Sequence, residues 1–154
     1  MSNGKDDVDF GVLLNLAFAS FKEQLDAHLA GNGFDDLGPS FGYVFRLLQS
    51  GSFNLRQVAD QLQITPQGAL KIVNDMIAKG YVKRKEPGGA DARVKPLVLT
   101  PRGKQAVTAA RAYHARYEKA LASRFGARAI ATVREVLTHT AQVEHAAVRR
   151  PRPV

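Results

Sequence analysis

Apolar residues recur at helical spacing in two short, adjoining stretches near the middle of the chain. In the first stretch they share one face of a helix, at Leu55, Val58, Ala59 and Leu62. In the second they follow i, i+3, i+4 and i+7, at Ala69, Ile72, Val73 and Met76. Each stretch therefore predicts a short helix with one face against a core.

Capping residues mark the ends of both helices. Asn54 and Gln57 have the spacing of a capping box at the start of the first helix. Thr65 can cap the second helix and Pro66 fits its first position, so we expect this helix to run from there to about Lys79. A two-residue break separates the helices, and two helices joined by a tight turn predict a helix-turn-helix.

The segment after Gly80 predicts a two-stranded β hairpin. Residues 81–86 alternate like a strand, residues 87–92 are rich in turn formers, and residues 93–100 resemble a returning strand. Pro96 cannot donate a hydrogen bond to a ladder, so we expect the second strand to be an edge there or to carry a bulge. The chain is therefore predicted to be mostly α with a small β hairpin, as a winged helix-turn-helix.

Longer amphipathic stretches flank this motif. A first helix, about 8–29, has a wide apolar stripe of Phe10, Leu13, Leu14, Ala17, Phe18, Phe21, Leu25 and Leu29. A short helix starting at Pro39 places Phe41, Val44, Phe45 and Leu48 on one face. A long helix from Pro101 to about Ser123 presents Val107, Ala110, His114, Tyr117 and Leu121. A last helix from about Ala127 to Ala147 presents Ile130, Val133, Leu137 and Thr140, with Val136 and Val143 beside them.

The terminal helices show more apolar surface than one compact winged domain needs, so we expect an isologous homodimer. In this organisation residues 1–36 and 101–148 form a helical dimerisation region, and residues 37–100 form the winged helix-turn-helix. The tail, residues 149–154, is basic and contains two prolines. We expect the tail to be disordered.

Composition limits the functions open to this chain. Its 154 residues suit one domain, and the lack of cysteine excludes disulfides and a thiol oxidation switch. The N-terminal segment is polar and acidic, and no apolar run approaches the roughly eighteen residues of a membrane span. We therefore expect a cytoplasmic protein without a membrane partner.

The net charge of +8 is unevenly distributed. Residues 1–54 hold 3 basic and 7 acidic residues, residues 55–104 hold 10 and 4, and residues 105–154 hold 9 and 3. Basic residues thus concentrate in the helix-turn-helix, the hairpin and the segment after them. Clustered Lys and Arg are typical of a polyanion partner, although charge alone fits a merely solvated basic surface equally well.

The hairpin motifs are those of a known family. The two short helices, Lys-Gly-Tyr-Val-Lys-Arg at 79–84, Asp91-x-Arg93, and Leu99-Thr100-x-x-Gly103 together resemble the bacterial MarR (multiple antibiotic resistance regulator) family. The resemblance covers most of the chain. It implies a homodimeric DNA-binding repressor, and many members of the family are released from DNA by small phenolic ligands.

The outward side of the second helix carries residues able to reach base edges and phosphates, namely Gln67, Lys71, Asn74 and Ala78. Gln67 and Lys71 are the strongest candidates, because the N-terminal part of this helix enters the major groove in such motifs. Leu70 could touch a thymine methyl group or, as we favour, pack on the flank of the apolar stripe. Gly68 could allow close backbone approach, or could merely weaken the helix by about 1 kcal/mol. Thr65 completes the predicted set.

The wing supplies the remaining DNA candidates. By resemblance and charge, Arg93 is assigned to the minor groove, whose negative potential attracts a guanidinium. Asp91 can hold that arginine by a charge-assisted hydrogen bond. Lys83, Arg84, Lys85 and Lys95 are predicted phosphate contacts, and each equally suits an exposed position without any contact.

Aromatic residues of three helices could converge on an effector pocket. The candidates are Phe21, Leu25, Phe41, Phe45, Tyr113 and Tyr117. A cleft lined in this way would suit a planar apolar ligand with a carboxylate or phenol. Plain core packing is the default alternative for most of these side chains.

Other function classes have weaker support. Gly38-Pro39-Ser40-Phe41-Gly42 matches the string of a hydrolase nucleophile elbow, but that motif needs a strand before the serine and a sheet around it. The histidines at 28, 114, 139 and 145 form no i, i+4 pair, so a metal site is not predicted, and neither is a cofactor. A winged-helix module that binds protein instead of DNA remains an alternative. We expect a non-enzymatic transcription regulator with DNA, a second copy of itself and a small aromatic effector as partners.

Overall fold

The computed structural model describes residues 8–86 and 95–141. In these residues the chain forms α1 (Phe10–Gly31), α2 (Phe41–Gln49), α3 (Leu55–Leu62), α4 (Pro66–Ala78), β1 (Val82–Arg84), β2 (Leu97–Leu99), α5 (Pro101–Phe125) and α6 (Ala127–Thr140). The predicted winged helix-turn-helix with flanking helices is confirmed. Residues 142–154, with the end of the predicted last helix and the basic tail, lie outside the described residues.

Local signals place the helix-turn-helix as predicted. Asn54 caps α3 by accepting from the Gln57 amide, and the Gln57 side chain accepts from the Asn54 amide, both at 2.9 Å. Gln63, in the turn, adopts a left-handed conformation with φ of 53°. Two hydrogen bonds close the end of α3 there, from the Ile64 amide to the Ala59 carbonyl and from the Gln63 amide to the Asp60 carbonyl. The sequence predicted the break but not its left-handed geometry, since glycine usually occupies such a position.

The core lies between α2, α3, α4 and the hairpin. Its most deeply buried side chains are Val44, Val58, Val73, Met76, Tyr81, Val82 and Leu97. The predicted inward face of α4 is confirmed, because Ala69, Val73 and Met76 are fully buried and Ile72 is partly buried. Burial on this one face leaves the opposite face of α4 toward solvent.

The hairpin is antiparallel, pairing Val82 with Leu99 and Arg84 with Leu97. On its other side Leu97 forms a bridge with Phe53, in the segment between α2 and α3. β2 is thus paired with a strand, β1, on one side, and is joined to Phe53 by a single bridge on the other side, at the residue after Pro96. Pro96 is accommodated because it precedes the strand and uses only its carbonyl, which accepts from the Lys85 amide at 2.7 Å.

The flanking helices are much less buried. α5 packs on α1 and α6, but every residue of α6 is at least partly exposed. α2 begins at Phe41, two residues later than the predicted start at Pro39, with Ser40 as its N-cap. Among the described residues, none of the helices is sufficiently long and apolar to cross a membrane.

Candidate nucleic-acid interface

α4 is here called the recognition helix. Its outer face is open to solvent. Gln67, Lys71, Asn74 and Ala78 are all exposed, as is the capping residue Thr65. Leu70 keeps 38% of its surface exposed, so its position is compatible with both roles that the sequence left open. The recognition helix thus presents an amide, a cation and a second amide along one exposed side.

Both ends of the recognition helix are fixed. At its start the Gly68 amide donates to Thr65 Oγ1 at 3.0 Å, and a Cβ at Gly68 would lie 3.2 Å from that oxygen. At its end Gly80 has a φ of 78°, and the Tyr81 amide donates to the Met76 carbonyl at 2.9 Å. These caps satisfy backbone groups that a helix terminus otherwise leaves open. The outer face is therefore held in a defined orientation relative to the hairpin.

The hairpin adds exposed positive charge. Lys83 and Arg84 on β1 are exposed, and so are Lys85 and Lys95 next to the strands. The predicted minor-groove residue Arg93 and its partner Asp91 lie outside the described residues. The described part of the wing therefore offers four exposed cations in the hairpin that follows the recognition helix.

Tyr81 joins the recognition helix to the hairpin; it belongs to the motif at 79–84 but was not predicted to be a site residue. It is fully buried, and its hydroxyl donates to Asp36. Burial, then the hydrogen bond to Asp36, raises the pKa of Tyr81 to about 12. The same hydrogen bond, with help from the charge of Arg102, holds the pKa of Asp36 below its usual value. No local pattern could reveal this contact, because it joins residues 45 positions apart.

A cleft of about 800 Å³ lies between α1, α2 and α5. Four of the six predicted pocket residues line it, namely Phe21, Leu25, Phe41 and Phe45. The other two, Tyr113 and Tyr117, do not line this cleft: they lie behind Phe21, with ring centroids 5.7 and 5.0 Å from its ring. Their positions on α5 direct them toward α1 and not into the cleft.

Polar residues that the sequence reasoning missed also line the cleft. They are Lys22, Asp26, Arg46, Gln49, Arg111 and His114, among others. Arg111 donates from Nη2 to Gln49 Oε1, which joins α5 to α2. Burial lowers the pKa of His114, so its imidazole is held neutral over a wider pH range than a free histidine. The cleft is thus lined by aromatic rings and by cations that can pair with an anionic group.

The structure around Ser40 does not fit the nucleophile elbow of a hydrolase. Residues 33–40 form turns and irregular backbone and contain no strand, whereas a nucleophile elbow needs a strand directly before the serine. Ser40 instead precedes the first turn of α2. Within residues 8–86 and 95–141, no three His, Asp or Glu side chains lie close enough together to hold a metal ion.

In comparisons with known proteins, no family model matches the chain, and no curated protein matches it in sequence. Solved structures do match. The transcriptional repressor CouR, bound to a 23-mer DNA duplex, shares 22% identity over 92% of this chain and 98% of its own, with a TM-score of 0.68. FabT of Streptococcus pneumoniae, in complex with DNA, shares 21% over 87% and 96%, also with a TM-score of 0.68. The reduced form of MarR from E. coli shares 17% over 88% and 98%, with a TM-score of 0.65. The chain has the winged-helix fold of MarR-type regulators, as its sequence motifs predicted.

Proposed function

We propose that the protein is a sequence-specific DNA-binding transcription regulator of the MarR type, which acts as a homodimeric repressor on a pseudo-palindromic operator. The exposed outer face of the recognition helix carries this proposal. A helix that buries one side in the core and presents Gln67, Lys71 and Asn74 on the other has the side chains that read base edges. The exposed cations of the hairpin lie beside it and suit phosphate contacts.

In the proposed complex the N-terminal half of the recognition helix enters the major groove. Gln67 and Asn74 can form paired hydrogen bonds with adenine, and Lys71 can donate to guanine or to a phosphate. Arg93 enters the neighbouring minor groove, with Asp91 as its brace. The likeness to CouR and FabT, both solved with DNA, supports this mode of binding.

Homodimerisation is supported by the apolar residues that the protomer leaves open on its terminal helices. Phe10 and Phe18 of α1 are 65% and 64% exposed, and Val133 and Leu137 of α6 are also largely exposed. An apolar surface of this kind is characteristic of an interface. A twofold dimer through α1, α5 and α6 would cover it and place two recognition helices about one turn of DNA apart.

We assign the cleft between α1, α2 and α5 to an effector. Its volume of about 800 Å³ lies in the usual range for small-molecule sites. Phe41 and Phe45 can stack on a planar ring, while Arg46 and Arg111 can pair with a carboxylate or phenolate. A ligand that prefers a dimer with wrongly spaced recognition helices would release the DNA.

A selection experiment tests the DNA-binding function. Duplexes recovered from a random pool with the dimer should share a pseudo-palindromic motif. Lys71→Ala should weaken binding to the selected duplex by about fivefold or more, as expected for a loss of roughly 1–3 kcal/mol. Lys119→Ala removes the same charge from the exposed surface of α5 and serves as the matched control. If no shared motif is recovered, and Lys71→Ala and Lys119→Ala bind duplex DNA with equal affinity, the alternative of a winged-helix module that binds protein would be favoured.

A further inference from the structure

We propose that Asp36, Tyr81 and Arg102 form a positioning cluster that fixes the angle between the recognition helix and α5. These three residues, here called the Tyr81 cluster, come from the loop before α2, the junction of α4 with β1, and the first turn of α5. Any effect of this cluster on DNA binding rests on the proposed function. The mechanical role does not depend on DNA.

Arg102 holds the cluster together through one end of its guanidinium. Its Nη2 lies 3.0 Å from Tyr81 Oη and 3.3 Å from both Asp36 Oδ1 and the Gly33 carbonyl oxygen. The guanidinium carbon is 4.8 Å from the Tyr81 ring centroid and 5.4 Å from that of Phe34. Since Nη2 carries two hydrogens, the three acceptors share them. Arg102 therefore connects the α1–α2 loop to Tyr81 by stacking and by hydrogen bonds.

The backbone of Tyr81 is the point where the recognition helix, the hairpin and α5 meet. Its amide donates to Met76 at the end of the recognition helix, and its carbonyl accepts from the Thr100 amide at 3.0 Å. Gly103 of α5 packs directly on it, because a Cβ at that position would lie 2.2 Å from the Tyr81 carbonyl oxygen. Holding the Tyr81 side chain thus limits how the recognition helix can rotate about the start of α5.

The cluster is built for orientation more than for stability. The side chains of Arg102 and Asp36 are 41% and 36% exposed, and an ion pair this open to water contributes little to stability. The Tyr81 ring, in contrast, is fully buried against Phe34, Phe41 and Phe45. Loss of Arg102 should leave the ring packed and the fold intact, but should leave the hydroxyl without its cationic partner. A purely stabilising contact would behave differently, since its loss would lower stability without altering the angle.

A distance measurement separates these roles, and the lack of native cysteine makes it simple. Spin labels at Asn74→Cys and Lys119→Cys, both exposed positions, report the distance between the recognition helix and α5. Dilution with excess unlabelled chain restricts the signal to one protomer. Arg102→Gln and Asp36→Asn should each broaden or shift the distance distribution, and the double variant should do little more than either one. Tyr81→Phe, which keeps the ring, should produce a similar change.

Arg134→Gln is the matched control, because it breaks another exposed ion pair, to Glu118, between α6 and α5. The proposal is overturned if Arg102→Gln leaves the distribution unchanged, or if Arg134→Gln alters it equally. A DNA measurement adds the functional consequence. The parent should bind the selected duplex more tightly than duplexes whose half-site spacing is changed by one base pair, and Arg102→Gln should lose this preference. The salt dependence of its DNA affinity should stay unchanged. If the parent protein binds no DNA, the proposed function fails and the distance result still decides the role of the cluster.

Discussion

The helix-turn-helix and the terminal helices differ in where their apolar residues go. α3 and α4 bury their stripes within the protomer, around Val58, Val73 and Met76. α1 and α6 have apolar residues of the same kinds, yet Phe10, Phe18 and Val133 remain largely exposed. The difference indicates that one protomer completes the core of the helix-turn-helix by itself, whereas the apolar faces of the terminal helices would be covered only in the proposed dimer.

The largest effect is expected from the exposed face of α6. Val133→Asp with Leu137→Asp would place two charges in the proposed interface, where an unpaired buried charge costs several kcal/mol. We expect a monomer in sedimentation experiments and loss of operator binding. The control is Ala78→Asp on the exposed side of the recognition helix, which should keep the dimer while weakening DNA binding. If the variant with both α6 substitutions is still a dimer, the proposed difference between the helix-turn-helix and the terminal helices is contradicted.

Gly103→Ala tests the close packing of α5 on the helix-turn-helix. The new methyl group would lie 2.2 Å from the Tyr81 carbonyl oxygen, so the backbone must move, at a cost of about 1–3 kcal/mol. Chemical denaturation should measure this loss. Gly42→Ala is the matched control, because its Cβ meets nothing within 4 Å and alanine favours a helix by up to about 1 kcal/mol. Equal stability of the two variants would contradict the packing described.

The buried hydroxyl of Tyr81 predicts a weakness at high pH. A folded pKa raised from 10.0 to about 12 means that its stabilising contribution is complete below pH 10 and is lost as the pH rises toward 12. Between about pH 9 and about pH 11 the parent should lose about 1 kcal/mol relative to Tyr81→Phe. Denaturation midpoints across this range check the prediction, and parallel pH profiles of the two proteins would contradict it.

The smallest effect concerns the turn of the helix-turn-helix. Gln63 adopts a φ of 53°, a conformation that costs a side-chain-bearing residue roughly 1–2 kcal/mol and costs glycine little. Gln63→Gly should therefore raise the thermal midpoint slightly, since relief of strain exceeds the added entropy of the unfolded chain. A lower midpoint would indicate that contacts of the glutamine side chain outweigh the strain.

The sequence predicted features set by neighbours along the chain. The capping box at Asn54, the cap at Thr65 and the inward face of α4 each depend on residues within a few positions of one another. The bridge between Phe53 and Leu97 and the contact of Asp36 with Arg102, 66 positions away, depend on how elements meet. The position of Tyr113 and Tyr117 beside Phe21, outside the cleft, could not be predicted for the same reason, because periodicity shows which residues share a face but not which neighbour that face contacts.

The most direct test of the account is a salt titration of the protein on its selected duplex. If the exposed face of the recognition helix and the cations of the hairpin contact DNA, affinity should fall by roughly a thousandfold or more between about 50 and about 200 mM salt. Replacing Lys71 and Lys83 by alanine together should make that dependence visibly shallower. Affinity that is independent of salt, or a slope unchanged in the double variant, would contradict DNA binding through this face.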